Sequence, residues 1–206
     1  MYALVVNNSI TRVFPGPKGF EHNGNQYSPD IFYKWSKAEK EAIGLYEVVT
    51  DSTNRKDEKW YINTNESFAF ANNTVTRSWG TATAKAHADT LWTQQDSDDG
   101  DLPDDKEVGD VKVEGLKTQL IRTIKQQAAG ILQETDWYIV RKADAGTAVP
   151  SSITTHRAAV RTKAAEMETA ITNASDTPAL ETLYTYTEQE DGSITRPLGE
   201  LPTLES

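Results

Sequence analysis

Two segments in the second half of the chain carry apolar residues at helical spacing, and no other feature constrains the fold as strongly. The first segment has Val113, Leu116, Leu120, Ile124, Ile131 and Leu132. The second begins at Pro150 and has Ile153, Val160, Ala164, Met167 and Ile171. Steps of three, four and seven residues place such side chains on one face of a helix. Neither helix can bury its apolar stripe alone, so the pattern predicts an antiparallel helical hairpin over residues 108–173.

Residues 1–93 have the alternation and the turn residues of short strands. A turn at Asn7–Asn8–Ser9 predicts an opening β-hairpin. Alternating aromatic and polar residues predict a three-stranded meander over residues 59–79. Aromatic side chains in strands are more often core than ligand-binding, so a sugar-binding face built from Trp60 and Trp79 is the less favoured alternative.

One short helix is predicted within this module, near residues 37–43. Ser36, followed three residues later by Glu39, has the spacing of a capping box, and Gly44 is suited to end the helix. The predicted fold class is therefore α+β, with a small antiparallel β-rich N-terminal module and a C-terminal α-helical hairpin.

Residues 94–107 contain seven acidic residues, one basic residue and almost nothing apolar. Such a segment buries too little apolar surface to offset the entropy of ordering, which predicts a flexible, protease-sensitive linker between the two modules. Calcium binding is the less favoured alternative, because Gly100 stands fifth from Asp96 instead of sixth as in an EF-hand loop. Residues 174–206 are predicted to form a polar tail, with one short helical segment at 178–184.

Charge and composition narrow the classes of partner. The formal net charge is −10 and the chain has no cysteine. The negative charge disfavours nucleic acid and anionic membranes as partners, and no apolar run approaches the about 18 residues of a membrane-spanning helix. Three histidines without metal-ligand spacing, and no nucleotide-binding or nucleophile motif, indicate a non-enzymatic protein without metal or cofactor.

The most distinctive residues are Ile131–Leu–Gln–Glu–Thr–Asp–Trp137, Val149–Pro150 and His156–Arg–Ala–Ala–Val–Arg161. They resemble the C-terminal segment of phage tail-fibre assembly proteins and related tail proteins. The segment Gln26–Ser36, with Glu39 and Ala42–Val48 after it, is similar to a module of phage structural proteins. This chain departs from the family in having His156 where tyrosine is usual and Tyr138–Lys142 in place of a shorter loop.

The resemblance implies a structural protein of the virion, in the tail or tail fibre of a tailed bacteriophage, made in the host cytoplasm. Because the N-terminal residues show no basic stretch before their short apolar run and no small-residue cleavage pattern, no cleaved leader is expected. Its implied partners are other tail proteins and further copies of itself, for which three-fold symmetry would suit a fibre. Two alternatives stay open: a tail-fibre assembly chaperone absent from the mature virion, and a carbohydrate-contacting module or polysaccharide hydrolase.

The predicted interaction and packing residues lie on the two apolar stripes and at the end of the first helix. Trp137 is expected to be buried against Leu132 as a lid, and the stripes are expected to offer more apolar surface than one helix pair can hide. The predicted residues are Leu116, Leu120, Ile124, Ile131, Trp137, Ile153, Val160, Met167 and Ile171.

Overall fold

The computed structural model describes residues 1–204 and contains both helices and strands, which confirms a mixed α+β class. The chain divides into two compact units, the first ending at Thr83 and the second beginning at Ala84. This division comes before residues 94–107, which therefore lie within the second unit and do not separate the two modules.

The first unit is assembled from short strands and two short helices. In chain order these are β1 (Tyr2–Val6), β2 (Ser9–Phe14), β3 (Phe20–His22), β4 (Asn25–Tyr27), α1 (Ile31–Lys34), α2 (Lys37–Ala42), β5 (Leu45–Thr50), β6 (Tyr61–Ile62), β7 (Ser67–Ala71), β8 (Thr74–Ser78) and, at the boundary, β9 (Thr83–Ala84).

Five of these strands form one sheet in the order β2–β1–β5–β8–β7. The predicted opening hairpin is confirmed: β1 and β2 are antiparallel, and Asn7 and Asn8 between them have φ of 50° and 59°, as a two-residue hairpin turn requires. However, β5 and β8 are parallel, with Val48 opposite Val75. The sheet is therefore mixed, and the prediction of a purely antiparallel module is wrong, because a long excursion after β5 brings β8 back in the same direction.

The predicted meander over residues 59–79 is reduced to the antiparallel hairpin of β7 and β8. β6 lies outside the five-stranded sheet. A side-chain clasp accounts for this: the Asn63 amide accepts a hydrogen bond from the Lys56 backbone N–H at 2.9 Å and donates to the Lys56 carbonyl at 2.8 Å. This closes the chain before β7 into a loop of its own.

Apolar side chains pack on both faces of the sheet. One face is covered by the β3–β4 hairpin and α1, and its buried residues are Leu4, Phe14, Phe20, Ile31, Phe32 and Leu45. On the opposite face, Ala3, Val5 and Val75 are buried among partly buried aromatic and aliphatic side chains. Because the edge strands β2 and β7 approach each other, the sheet curls around this second cluster.

The capping box predicted for the short helix is present at the start of α2. The Glu39 backbone N–H donates to the Ser36 hydroxyl at 3.3 Å, and the Ser36 N–H donates to the Glu39 carboxylate at 2.7 Å. After α2, Gly44 has φ of 80°, and a Cβ there would collide with the Val5 carbonyl oxygen. Both the left-handed backbone and the close approach require glycine at this position.

The second unit contains most of the helical residues. Its elements, in chain order after β9, are β10 (Thr90–Leu91), α3 (Gln94–Asp98), β11 (Val111–Val113), α4 (Leu116–Gln133), α5 (Asp136–Ala145), α6 (Ser151–Asn173), α7 (Thr177–Tyr184), β12 (Thr187–Glu188) and β13 (Ile194–Thr195).

The segment predicted as a flexible linker is instead a closed loop between the antiparallel strands β10 and β11; residues 94–110 are called the acidic loop below. At its neck, the Trp92 N–H donates to the Asp110 carbonyl and the Gly109 N–H donates to the Trp92 carbonyl, each at 2.8 Å. Asp96 caps α3 and pairs with Lys112. Bonding to the Lys112 ammonium, and then to Thr93, lowers the pKa of Asp96 from 3.8 to about 2. The composition of residues 94–107 does not reveal these contacts, because they join residues far apart in sequence.

The helices α4 and α6 pack against each other in opposite directions. Near one end of the pair the Lys117 ammonium donates to the Thr172 carbonyl at 2.8 Å, and near the other Arg157 Nη1 donates to the Leu132 carbonyl at 2.6 Å. The 18 residues of α4 make the five turns expected from the apolar spacing. Within residues 1–204, none of the helices combines the length and apolar character needed to cross a membrane.

The start of α4 is capped from outside the helix. The Asp89 carboxylate accepts from the Gly115 backbone N–H at 2.6 Å and from the Thr118 hydroxyl at 2.8 Å. A Cβ on Gly115 would overlap the backbone of Ala88. Asp89 thus supplies the N-terminal acceptor that Gly115 lacks, and its negative charge lies at the favourable end of the helix dipole.

Residues 174–204 do not form the polar tail predicted for 174–206; Glu205 and Ser206 lie outside the described residues. The predicted short helix is present as α7, and Leu180 within it is fully buried. Further on, Leu198 is also buried, and its backbone N–H donates to the Leu183 carbonyl at 3.0 Å. Composition suggested mobility, but these few apolar residues fold back onto the helices.

Candidate interaction surface

The predicted interaction residues on the two stripes are mostly internal to the second unit. Seven of them are buried: Leu116, Leu120, Ile124, Ile153, Val160, Met167 and Ile171. Val160 and Ile171 have no exposed surface at all. These side chains hold α4 and α6 together, so the expectation of excess apolar surface on the stripes is wrong.

Ile131 is the exception on the stripes. It is half-buried and lines an open groove of about 400 Å³ together with Met167 and Leu201. Charged residues at this groove include Glu134, Glu200 and Arg196, and the last two are paired at 2.7 Å. The groove exposes little apolar surface, so it is a weak candidate for an interaction site.

A buried polar junction joins the end of α4 to α6. Arg157 Nη1 donates to the Leu132 carbonyl at 2.6 Å and to the Thr135 hydroxyl at 2.7 Å, while Nη2 pairs with Asp136 at 2.8 Å. The Thr135 hydroxyl itself donates to the Leu132 carbonyl at 3.0 Å. The Leu132 carbonyl also accepts from the Thr135 backbone N–H at 3.1 Å, so the side-chain bonds add to the backbone closure of the helix end and hold the start of α5 on α6.

The junction brings together two of the segments on which the phage resemblance depends. Thr135 and Asp136 come from the first segment, and Arg157 from His156–Arg161. Thr135 and Arg157 are both buried, as is the neighbouring His156. The junction stabilises the fold, because the buried Arg157 guanidinium finds a carbonyl, a hydroxyl and a carboxylate as hydrogen-bond partners.

Trp137 is not the buried lid predicted from the sequence, since half of its surface is exposed. The chain does not turn back after Asp136 but continues into α5, which carries Trp137 along its surface. Its ring lies 3.8 Å from the Tyr138 ring, and the Arg141 guanidinium lies 4.7 Å from the Trp137 ring centroid. Trp137 therefore packs on Tyr138 and Arg141 of its own helix.

The helix α5 has no buried residue over its ten positions. Tyr138 and Arg141, three residues apart, are half-buried and so mark the side that faces the rest of the unit. Ile139, Val140 and Ala143 share the opposite side, where Val140 is 66% exposed and Ile139 is 43% exposed. An amphipathic helix normally buries such a stripe. We call Ile139, Val140 and Ala143 the α5 face.

Sequence reasoning missed α5 by treating Tyr138–Lys142 as loop. The signals for a helix were present: Thr135 before its first turn, Asp136 within that turn, Lys142 in its last turn, and Gly146 after it. In the structure Gly146 has φ of 68° and its N–H donates to the Lys142 carbonyl at 3.0 Å, which closes the helix.

A sugar-binding face in the first unit would need the Trp60 and Trp79 rings to be exposed, and both are buried. Trp60 is 3% exposed and Trp79 is 9% exposed. Cations cover them, with the Lys59 ammonium 4.5 Å from the Trp60 ring centroid and the Arg77 guanidinium 4.5 Å from that of Trp79. These rings are core residues with cationic lids.

Within residues 1–204, no group of three or more histidine, aspartate or glutamate side chains is arranged to hold a metal ion. Comparison of the chain with protein-family models, with curated proteins and with solved structures gave no match. A function therefore has to be argued from the residues of this chain.

Proposed function

We propose that this protein is a non-enzymatic structural component of a bacteriophage tail or tail fibre, which attaches to neighbouring tail proteins and to copies of itself. The observation that carries the proposal is the α5 face, an apolar helix stripe turned outward, together with the half-exposed Trp137. Tryptophan is one of the residue types that most often dominate the binding energy of protein interfaces.

In this proposal the β-rich N-terminal module and the C-terminal helical hairpin are two building blocks of one structural protein. The buried junction of Thr135, Asp136 and Arg157 holds α5 at a fixed position on the hairpin. A helix held in this way needs little ordering when a partner binds, which lowers the entropic cost of association. The phage assignment itself rests on the resemblance of residues 131–161 and 26–48.

The α5 face, and not the stripes of α4 and α6, is the surface to change in a test. An aspartate at Leu120 or Val160 would place a charge in the buried core and unfold the unit. A loss of assembly would then not distinguish a lost interface from an unfolded protein. Val140→Asp changes an exposed position instead. Ile194→Asp is a matched control, because Ile194 is 69% exposed and lies on β13 of the same unit.

The experiment is quantitative mass spectrometry of purified particles of the phage that encodes the protein. We expect the wild type and Ile194→Asp at stoichiometric copy number, and Val140→Asp reduced at least tenfold. Absence of the wild type from particles, despite its expression in infected cells, would refute the structural role and favour an assembly chaperone. Sedimentation of the purified protein at tens of micromolar would establish the number of copies that associate.

A further inference from the structure

The first unit contains a nearly buried ammonium group without a charged partner. Lys40 on α2 is only 9% exposed, although lysine side chains are rarely buried unless they are paired. Its Nζ donates to the Tyr2 hydroxyl at 3.3 Å and lies 5.0 Å from the centroid of the same ring. Within residues 1–204, no carboxylate oxygen lies within 4.0 Å of this nitrogen. An ammonium has three donors, and the hydroxyl takes only one of them.

A carboxylate at the same place is also unpaired. Glu47 on β5 lies directly opposite Tyr2 on β1, so the two side chains are neighbours on one face of the sheet. Both residues line a cavity of about 50 Å³ together with Lys40. In the part of the chain that the structure describes, Glu47 has no ion-pair partner, whereas Glu41 at the same cavity pairs with Lys37 at 3.6 Å. Lys40 and Glu47 therefore present opposite charges to a shared space without forming an ion pair with each other.

A larger cleft between α2 and the sheet adjoins this cavity. The cleft has a volume of about 330 Å³, and Lys37, Glu41 and Glu47 line both spaces. Its other walls are partly apolar and are formed by Tyr46, Val48, Val49, Asn73 and Thr74. One water needs about 10–15 Å³, so the cavity can hold several small polar groups. The cleft has room for an apolar side chain attached to them.

We propose that the cavity and the cleft bind a free α-amino acid with an apolar side chain. Its carboxylate would accept hydrogen bonds from the Lys40 ammonium and the Tyr2 hydroxyl, and its ammonium would donate to the Glu47 carboxylate. The two charged groups of an α-amino acid are attached to one carbon, which suits two opposite charges at one small cavity. The side chain would lie in the cleft against Val48 and Val49.

The charges of the site disfavour ligands with a single charge. A ligand with only a carboxylate would meet Glu47, and a ligand with only an ammonium would meet Lys40, so each would place like charges together. Water in the cavity would supply hydrogen bonds but no counter-ion for the buried Lys40 charge, which is costly to leave unpaired. The inference does not depend on the proposed attachment to tail proteins.

The test is isothermal titration calorimetry of the full-length protein with L-leucine and three related compounds. Leucinamide lacks the carboxylate, isocaproate lacks the ammonium, and glycine lacks the side chain. We expect L-leucine to bind at least tenfold more tightly than each of them, because each loses one of the contacts with the site. Equal affinity for any of the three would overturn the proposal. So would the absence of saturable L-leucine binding at up to about 10 mM.

A substitution of the buried lysine locates the ligand. Lys40→Met keeps the length of the side chain and removes a buried charge, so the fold should be kept while the affinity for L-leucine falls at least tenfold. The matched control is Lys34→Met, which removes the same charge from an exposed position on α1 and should not change the affinity. Equal affinity of Lys40→Met and the wild type would refute binding at this cavity.

A substitution at the exposed carboxylate keeps the test decisive if Lys40→Met does not fold. Glu47→Gln retains the shape of the side chain, and should lower the affinity for L-leucine at least fivefold and remove the preference for L-leucine over isocaproate. The control Glu21→Gln, at an exposed position on β3, should keep both, and the circular dichroism spectra should be unchanged. If Glu47→Gln keeps the preference, no ligand ammonium reaches this carboxylate, contrary to the proposal.

Discussion

The α4–α6 pair and α5 carry apolar side chains at the same helical spacing but in opposite environments. In the pair, the stripes of the two helices face each other, and Val160 and Ile124 are almost completely buried. In α5, Ile139 and Val140 face solvent while Tyr138 and Arg141 face the unit. Periodicity identifies a helix with an apolar side. It does not tell whether that side belongs to the core or to a partner.

The largest difference between the two regions should appear when a buried and an exposed aliphatic side chain are shortened. Ile124→Ala creates a cavity between α4 and α6 and should lower the free energy of unfolding by about 2–5 kcal/mol. Val140→Ala on α5 should change it by less than about 0.5 kcal/mol. Urea denaturation followed by circular dichroism measures both, and comparable losses would mean that α5 is packed in solution.

The junction that holds α5 to the pair should give the next largest effect. Arg157→Ala removes the charged donor to the Leu132 carbonyl and the Thr135 hydroxyl, and should cost about 1–3 kcal/mol. Amide hydrogen exchange should accelerate in residues 136–145, because α5 loses its attachment. The control is Arg161→Ala, an exposed arginine on the same helix. Equal exchange in the two variants would argue against a positioning role for Arg157.

The external cap of α4 tests whether the pair depends on its helix end as well as on its stripe. Asp89→Ala removes the acceptor of the Gly115 N–H and should lower the free energy of unfolding by about 1 kcal/mol. Asp89→Asn keeps an acceptor oxygen and should recover most of this loss. If the two variants unfold at the same urea concentration, the cap contributes through charge and not through the hydrogen bond.

Only a small effect on stability is expected at Trp137, which the sequence had predicted to be a buried lid. Trp137→Ala loses its contact with Arg141 and should cost less than about 1 kcal/mol. If α5 is the attachment surface proposed above, incorporation into particles should nevertheless fall, because Trp137 lies about one helical turn from Val140. A loss of about 3 kcal/mol or more, measured by urea denaturation, would restore the buried-lid interpretation.

Local features of the fold could be predicted from the sequence by itself. These features are the capping box of Ser36 and Glu39, the Asn7–Asn8 turn, and the five turns of α4. Each follows from residues that lie within one or two turns of each other. Such signals depend on backbone geometry that each short segment specifies alone. The same kind of signal, Thr135 to Gly146, marked α5 as well.

Tertiary structure decided the features that join distant residues. The parallel pairing of β5 with β8, the closure of the acidic loop by Asp96 and Lys112, and the burial of Leu198 each bring together residues far apart in the chain. It also decided that Val160 is core and Val140 is surface. Burial depends on which other elements of the chain pack against a surface, and a local apolar pattern does not identify those elements.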